Sequence, residues 1–366
     1  MPVSLTTRRR FLKGTGAALA ASALGLPALA FGRPKAKLGV ALLGLGGYST
    51  GRLAPGLQQT EHCELRGIVT GSPEKIPVWQ ERYGIPDRNV YSYDTLDEIA
   101  DNDAIDVVYI VTPPSLHARD AIRAAEAGKH VWCEKPMAMD VAECQSIIDA
   151  AEQNGVSLSI GYRLHHEPNT QAVMRFAREE TYGAVRGVKT GAGFIGSFPD
   201  PTAWRRIGAL GGGALYDMGV YPINAARYAT GLEPVAVRGR QWSVRTDLFG
   251  DVDEFTTFEL EFPGGLVVPG ETSFGKMMNY LDVTAEDGWY RLRPFMNYSG
   301  VGGETSDGTR LAPDPGHQQA RQMDAEALAI LEGRPPIAPG AEGLRDIRSV
   351  NAIQASDATN EAWVEL

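Results

Sequence analysis

The chain has 366 residues, which favours two domains over one small core. Its formal net charge of −10 and ordinary globular composition argue against a nucleic-acid surface, because such a surface must neutralise phosphates. After the N-terminus no apolar run is long enough to predict a membrane span. Cys63, Cys133 and Cys144 have neither metal-site spacing nor the even number of a disulfide framework, so we expect small buried side chains.

The first thirty residues predict a targeting segment rather than part of the fold. Arg8 and Arg9 precede Phe-Leu-Lys at 11–13, a Gly- and Ala-rich stretch follows at 14–26, and Ala-Leu-Ala at 28–30 supplies a cleavage pattern. This segment resembles a twin-arginine (Tat) export signal, with an ordinary secretory signal or a basic tail as the alternatives. The resemblance implies a periplasmic protein, exported in the folded state and left without a membrane segment after cleavage.

A continuous apolar run at 38–43 predicts a parallel strand that is buried on both faces. It leads directly into a glycine-rich turn at 44–48. The G-x-G-x-x-G dinucleotide pattern would place its third glycine at Ser49, but a small serine still allows the next helix to pack closely on the strand. We therefore predict dinucleotide binding at this turn. The expected contacts are Gly44, Leu45, Gly46, Gly47 and Tyr48.

The end of the second predicted strand, 64–70, indicates which dinucleotide is bound. An NAD enzyme usually has an acid here that binds both ribose hydroxyls. This chain has Thr70, Ser72 and Lys75 instead, and hydroxyls with an ammonium group suit a 2′-phosphate. The pattern predicts NADP(H), although Lys75 could also be a solvated residue at the start of a helix.

Two more strands are predicted at 105–111 and 130–133, with an amphipathic helix at 118–127 between them. This alternation is typical of right-handed βαβ units in a parallel sheet, and ligands bind beyond the carboxyl ends of such strands. The residues that follow Cys133 therefore lie where chemistry is expected. The predicted cofactor contacts after the third strand are Thr112, Pro113, Leu116 and His117.

Glu-Lys-Pro at 134–136 follows the fourth strand, and here the chain resembles the glucose–fructose oxidoreductase/inositol dehydrogenase (Gfo/Idh/MocA) family. Similar motifs continue at 161–163, 204–205 and 211–221, so that the resemblance covers nearly all of the chain after the signal. It implies an α/β fold class. An N-terminal Rossmann domain for NADP(H) would occupy 37–160, and a C-terminal α+β domain with a large, mostly antiparallel sheet would occupy 161–366.

One branch of this family matches best. Most members have a histidine four residues after the catalytic aspartate, whereas this chain has Tyr221 after Asp217. That choice resembles glucose–fructose oxidoreductase, and so do the Tat-like signal, the turn that follows Thr70, and Tyr93. Tyr93 is a further expected cofactor contact. Aldose–aldose oxidoreductases of this branch hold NADP(H) without releasing it. The long N-terminal arm of glucose–fructose oxidoreductase has no counterpart in residues 31–37, so we expect a homodimer rather than an arm-exchanged tetramer.

The resemblance implies that Lys135, Asp217 and Tyr221 are catalytic and also contact the substrate. Tyr221 is the preferred acid–base and Lys135 its electrostatic partner, with the reverse assignment left open. A desolvated lysine beside a cationic ring should have a lowered pKa. A helix over 213–228 would place Asp217 and Tyr221 on one face, four residues apart. Without the Glu-Lys-Pro context, a helix-terminal charge and a core aromatic would be the preferred interpretation of Asp217 and Tyr221.

Further residues receive roles only through the resemblance. Among them, His165 is implied to contact the substrate, and a purely structural role is the alternative for it. The adjacent pair His165 and His166 with Glu167 suggests a metal site, but neighbouring histidines point apart on a strand and no third ligand is suitably spaced, so no metal is expected. The cofactor contacts so implied are Glu134, Lys135, Arg163, Trp204 and Arg205. The substrate contacts so implied are Tyr162 and His165.

The second half of the chain alternates between apolar and polar residues at 185–190, 235–240 and 254–260, which predicts antiparallel strands with one free face. In the family this face forms the dimer. A loop is expected at 302–308 and a helix at 318–332. The resulting hypothesis is a periplasmic enzyme that oxidises an aldose at C1 and reduces a second sugar with one bound NADP(H). A dehydrogenase with exchangeable NADP and a non-catalytic sugar or nucleotide sensor are the alternatives.

Overall fold

A six-stranded parallel sheet forms the N-terminal half of the part of the chain that the structure describes, residues 36–366 of a computed structural model. The predicted export signal, 1–30, lies outside the described residues. The strand order is β3-β2-β1-β4-β5-β6, as in a Rossmann fold. The strands are β1 (Leu38–Leu43), β2 (Cys63–Val69), β3 (Val90–Tyr91), β4 (Val107–Ile110), β5 (His130–Cys133) and β6 (Leu158–Ile160).

The carboxyl ends of the three central strands meet at one edge of this sheet. Leu43 of β1 is paired with Ile110 of β4, and Ile110 is paired with Cys133 of β5. Every residue of β1 is buried, which explains its continuous apolar sequence. The glycine turn, the segment after β4 and the Glu-Lys-Pro segment after β5 therefore lie side by side. The predicted strands at 38–43 and 130–133 are confirmed residue for residue.

A nine-stranded, mostly antiparallel sheet forms the second half. Its order is β14-β13-β12-β11-β7-β10-β9-β8-β15, and among the paired strands only β7 and β10 run parallel. The fold class expected from the sequence is confirmed. The strands are β7 (Val185–Gly193), β8 (Ala236–Trp242), β9 (Phe255–Phe262), β10 (Leu266–Ser273), β11 (Met278–Ala285), β12 (Trp289–Leu292), β13 (Gly303–Thr305), β14 (Arg310–Leu311) and β15 (Val364–Glu365).

Helices cover one face of the second sheet and both faces of the first. Two of them, α6 and α9, pack on the nine-stranded sheet through side chains such as Ile223 and Ile353, whereas Lys189, Arg238 and Thr257 are exposed on the opposite face. The helices are α1 (Ala54–Leu57), α2 (Ile76–Tyr83), α3 (Pro114–Glu126), α4 (Val141–Gln153), α5 (Pro168–Arg178), α6 (Val220–Thr230), α7 (Thr246–Phe249), α8 (Gln318–Leu331) and α9 (Gly340–Ala358).

The helix expected at 213–228 is confirmed, because residues 214–230 are helical without a break, although Leu215–Gly219 is a π-helical turn before α6. One local prediction from the sequence was wrong. The loop expected at 302–308 contains β13, which pairs with β12 and β14. Glycine suggested a loop there, but a Cβ on Gly303 would lie 1.8 Å from the carbonyl oxygen of Arg291. Glycine is thus needed because the two strands approach closely.

The three cysteines are free and buried, as expected. Within residues 36–366, no helix is both long and apolar enough to cross a bilayer.

A buried ionic network joins α6 to α9. Arg227 is 4% exposed and lies 2.7 Å from Asp346, which is fully buried. The hydroxyl of Tyr162 and the amide of Asn224 donate to the same carboxyl group, at 2.7 and 3.1 Å. Burial raises the pKa of Asp346 to about 6, against the lowering effect of Arg227. The carboxylate therefore depends on its partners to stay charged inside the protein.

Replacing Arg227 with Met should destabilise the protein by about 3 kcal/mol, because an uncompensated carboxylate would be left in the interior. The matched control is Arg186→Met, which removes one partner of the exposed pair Arg186–Glu286, whose side chains are 61% and 55% exposed. That change should cost less than about 1 kcal/mol. Urea denaturation of both variants measures the difference, and equal losses would contradict this account of the network.

Candidate active site

The glycine turn after β1 has the backbone of a dinucleotide-binding loop. Gly44 has φ +98°, and a Cβ on it would lie 2.9 Å from the carbonyl oxygen of Val111. Cβ atoms on Gly46 and Gly47 would meet nothing within 4 Å, so the backbone there faces open space. Ser49, which replaces the expected third glycine, is buried and donates its hydroxyl to the Gly44 carbonyl at 2.5 Å. The departure from the glycine pattern therefore reinforces the turn.

A cavity of about 810 Å³ extends from this turn to the nine-stranded half. Its size suits a cofactor together with a small substrate. Lys135 and three arginines in its wall outnumber the carboxyl groups of Glu134 and Asp217, although the whole chain is acidic. This local positive excess fits a phosphate-bearing ligand. The predicted site residues in the wall are Gly46, Gly47, Tyr48, Thr112, His117, Glu134, Lys135, Arg163, Trp204, Arg205, Asp217 and Tyr221.

Lys135, Asp217 and Tyr221 meet in this cavity. Lys135 Nζ donates to the backbone carbonyl of Asp217 at 2.8 Å and lies 3.6 Å from its Oδ1. The same ammonium lies 4.6 Å from the centre of the Tyr221 ring. Asp217 comes from the π-helical turn and Tyr221 from the start of α6. Lys135 from the first half of the chain is thereby held against Asp217 and Tyr221 from the second half.

Asp217 is charged despite its burial. Burial is the largest influence on its pKa and would raise it, but Arg205 and Lys135 together hold the pKa below its usual value. Arg205 Nε donates to Asp217 Oδ2 at 2.7 Å. Since Arg205 also lies over the ring of Trp204, 4.4 Å from its centre, the segment before the π-helical turn is fixed to the site.

The lowered pKa expected for Lys135 assumed a cationic ring beside it, and it stays a prediction; the protein's own groups act in the opposite direction. Burial alone would lower the pKa of Lys135, but Tyr221, Asp217 and Glu134 outweigh it and raise the pKa. The pKa of Tyr221 moves the opposite way. Burial would raise it, whereas the charges of Arg163 and Lys135 bring it below the ordinary value. The protein's charges therefore make proton loss easier for the tyrosine and harder for the lysine.

The predicted 2′-phosphate residues lie beside the glycine turn rather than in the cavity wall. Lys75 Nζ donates to the carbonyl of Leu45 at 3.1 Å, and the amide of Ser72 donates to the Thr70 hydroxyl at 3.1 Å. The ring of Tyr93 packs so closely on Gly71 that a Cβ there would lie 2.8 Å from it. These contacts bring Thr70, Ser72, Lys75 and Tyr93 to one side of the turn. Lys75 also precedes α2, as the alternative interpretation expected.

His117 links two of the predicted segments. Its ring nitrogens lie 2.9 Å from the carbonyl of Pro136 and 2.7 Å from that of Thr112. Burial lowers the pKa of His117, and a neutral ring donates to one of these carbonyls at a time. Of the other predicted contacts, Pro113 and Leu116 are outside the wall and close the first turn of α3, with a 2.9 Å bond from the Leu116 amide to the Pro113 carbonyl.

The structure corrects the positions of two predicted substrate contacts. Tyr162 is buried with its hydroxyl on Asp346, and His165 lies 2.8 Å from the Asn224 side chain. Neither residue is in the wall of the cavity. The Tyr162 hydroxyl and the His165 Nε2 thus have partners within the protein, which agrees with the structural alternative for His165, while its predicted contact with the substrate stays a prediction. Among the described residues, no group of three or more His, Cys, Asp or Glu side chains is arranged to hold a metal ion.

Comparison with known proteins identifies the family. Residues 38–162 match the model of an oxidoreductase family with a NAD-binding Rossmann fold, GFO/IDH/MocA, and residues 170–291 match the corresponding C-terminal domain. The chain belongs to the GFO/IDH/MocA oxidoreductase family. Its domain boundaries at 160 and 161 stay predictions.

Individual relatives are similar over most of the chain. A solved structure of aldose-aldose oxidoreductase from Caulobacter crescentus, complexed with glycerol, is 40% identical, covers 90% of this chain and 100% of that one, and has a TM-score of 0.85. D-xylose 1-dehydrogenase [NADP(+)] from Haloarcula marismortui is 31% identical over 89% of this chain and 92% of that protein. Levoglucosan dehydrogenase, 23% identical with a TM-score of 0.76 over 90% and 99% of the two chains, shares the fold.

Several wall residues of this GFO/IDH/MocA oxidoreductase were not found from the sequence. Tyr298 is the most prominent, because it lies between Arg52 and Arg163, each 4.4 Å from its ring centre. Tyr298 belongs to a segment between strands that has no motif, and only the fold brings it to the glycine turn. The wall residues that were missed are Gly51, Arg52, Val111, Pro114, Phe194, Met218, Met296, Asn297, Tyr298 and Ser299.

Replacing Gly44 with Ala should lower the affinity for the dinucleotide by roughly tenfold, because a Cβ at positive φ costs on the order of 1–3 kcal/mol and would displace the turn. Gly128→Ala is the control. Gly128 has φ +72°, a Cβ on it would meet nothing within 4 Å, and it lies after α3, outside the cavity wall. This control should lose stability but keep its affinity for NADPH, measured by fluorescence titration of stripped protein. Unchanged affinity in Gly44→Ala would count against the turn.

Proposed function

We propose that this protein is a periplasmic oxidoreductase that oxidises an aldose at C1 to the aldonolactone and reduces a second sugar to the alditol. Both half-reactions would use one tightly held NADP(H), in ping-pong order. The observation that carries the proposal is the convergence of Lys135, Asp217 and Tyr221 in the cavity that begins at the glycine turn. The similarity to aldose-aldose oxidoreductase over the length of both chains supports it.

Tyr221 is assigned as the acid–base. In the oxidation it accepts the proton of the C1 hydroxyl, for which its lowered pKa is suited, and in the reduction it returns a proton to the carbonyl oxygen. Lys135 stabilises the phenolate, and Asp217 holds Lys135 while offering its carboxylate to a sugar hydroxyl. A bound nicotinamide would supply the hydride-transfer chemistry that links the oxidation of one sugar to the reduction of the other.

NADP(H) is proposed over NAD(H) from the charge at the glycine turn. Lys75, beside Ser72, holds an ammonium group at the Leu45 carbonyl, where a 2′-phosphate could be recognised. The turn itself fits a dinucleotide, since Gly46 and Gly47 leave open space over the backbone. The Haloarcula relative is named as an NADP(+) enzyme, which agrees with this choice.

Tight retention is proposed from two features. Arg52 beside the glycine turn lies over the ring of Tyr298 from the second half, so that this pair of side chains spans the cleft. The twin-arginine pattern at Arg8 and Arg9 suits a protein that takes up its cofactor before export, since free nicotinamide nucleotides should be scarce outside the cytoplasm. Recovery of the enzyme in the cytoplasmic fraction of cells would contradict the proposed location.

A homodimer through the outer face of the nine-stranded sheet is also proposed. That face exposes Lys189, Arg238 and Thr257, and no helix within residues 36–366 covers it. A second copy would bury it, as the family resemblance implies. Sedimentation equilibrium that gives the mass of one chain would contradict this.

Purified protein should carry nicotinamide absorbance that survives dialysis, bleaches with one sugar and returns with another. The released nucleotide, identified by mass, should be NADP(H). Tyr221→Phe is the control: it should retain the cofactor but lose roughly 10²-fold or more in the rate of bleaching, because the acid–base is missing.

The outcomes separate the candidates. A cofactor that leaves on dialysis while sugar oxidation persists would favour a dehydrogenase with exchangeable NADP, the second candidate, which the similarity to D-xylose 1-dehydrogenase supports. A retained cofactor that no sugar bleaches would favour a sensor, against which the intact Lys135, Asp217 and Tyr221 argue.

A further inference from the structure

Arg163 makes more contacts than a simple cofactor ligand would need. It follows β6 in a short 3-10 helix and is 3% exposed. Its Nη1 donates to the Asn297 carbonyl at 3.0 Å and to Gln318 Oε1, and its Nη2 donates to the Met296 carbonyl and, at 3.4 Å, to the Tyr221 hydroxyl. The four hydrogens on the two Nη atoms are therefore committed within the protein.

These contacts join three separate parts of the site. Met296 and Asn297 belong to the segment that carries Tyr298, and Gln318 begins α8. Arg163 fixes the backbone of that segment and, from the same guanidinium, reaches the hydroxyl of Tyr221. Such multiple bonding needs the planar fork of arginine, since lysine offers one point charge.

The position of the charge agrees with this use. The Arg163 carbon Cζ lies 5.3 Å from the Tyr221 ring centre, on a tyrosine that also faces Lys135. The other groups that interact electrically with Tyr221 are Glu134 after β5, Tyr48 at the glycine turn, Arg205 before the π-helical turn and Tyr298. Arg163 lowers the pKa of Tyr221 more than Lys135 does.

We infer that Arg163 is a positioning residue that orients the Tyr221 hydroxyl and stabilises its phenolate, rather than a ligand of the dinucleotide. The inference rests on the proposed role of Tyr221 as acid–base. Arg163 Nε is buried and has no hydrogen-bond partner among the described residues. The experiment must therefore separate positioning from cofactor binding.

The variants are Arg163→Met, Arg163→Lys and Tyr221→Phe, with the double variant Arg163→Met/Tyr221→Phe as reference. Ultraviolet difference titration of phenolate, each protein against its Tyr221→Phe counterpart, isolates the titration of Tyr221. In Arg163→Met this titration and the rising limb of kcat/KM for oxidation should both move to higher pH. At neutral pH kcat should fall on the order of tenfold. The amount of NADP(H) that copurifies should be unchanged.

Arg163→Lys keeps the charge but not the fork, so it should restore the titration of Tyr221 towards that of the wild type while kcat stays low and KM is unchanged. This variant also decides the matter if Arg163→Met does not fold. Loss of NADP(H) with an unshifted Tyr221 titration would overturn the inference and make Arg163 a cofactor ligand. Because the titration needs no sugar, a shifted Tyr221 in an enzyme that no sugar bleaches would refute the proposed function alone.

Discussion

The bond from the Lys135 ammonium to Asp217 connects the two halves of the molecule at the point where chemistry is expected. A lysine at the end of a parallel strand meets a carboxylate and a tyrosine from a helix of the other half. Neither the ammonium nor the carboxylate could be buried alone, because an unpaired charge in the interior costs several kcal/mol. The pairing of these two charges therefore holds the two halves together at the cleft and shifts the pKa values of the groups in it.

The surroundings hold this cluster in place. Behind Lys135, the buried Glu134 accepts a 2.7 Å hydrogen bond from Tyr109, which in turn accepts one from Gln322 of α8 at 2.9 Å. Gly161 is required beside it, since a Cβ there would lie 2.6 Å from Glu134 Oε1. The ring of His117 lies between the backbone carbonyls of Thr112 and Pro136, which follow β4 and β5. The Glu-Lys-Pro segment is thus constrained from the first sheet and from α8.

The surrounding charges shift the pKa values of Lys135 and Tyr221 in opposite directions. The pKa of Lys135 is raised because Tyr221, Asp217, Glu134 and Tyr298 together outweigh the effect of its burial. Tyr221 is surrounded by cations, so the tyrosine is the group that can change its charge. The sequence alone left this assignment open, since it depends on the distances among Lys135, Arg163 and Tyr221 rather than on their presence.

The sequence by itself determined the features that depend on local patterns. The apolar run of β1, the glycine turn after it and the Glu-Lys-Pro segment after β5 were predictable, because strand burial and turn chemistry are written in consecutive residues. The order of the strands then brought Lys135 to the correct edge of the sheet. Asp217 and Tyr221 were found through a family motif, and both lie in the cavity.

Only the tertiary structure decided the rest. Tyr298 and Arg52 carry no motif, and their contact across the cleft joins residues far apart in the chain. Tyr162 and His165 follow a motif closely, yet their side chains turn to Asp346 and Asn224 in the interior. Side-chain direction and charge balance depend on which elements pack together, and no sequence window contains that information. For the same reason the effect of Tyr221, Asp217 and Glu134 on the pKa of Lys135 could not be read from the sequence.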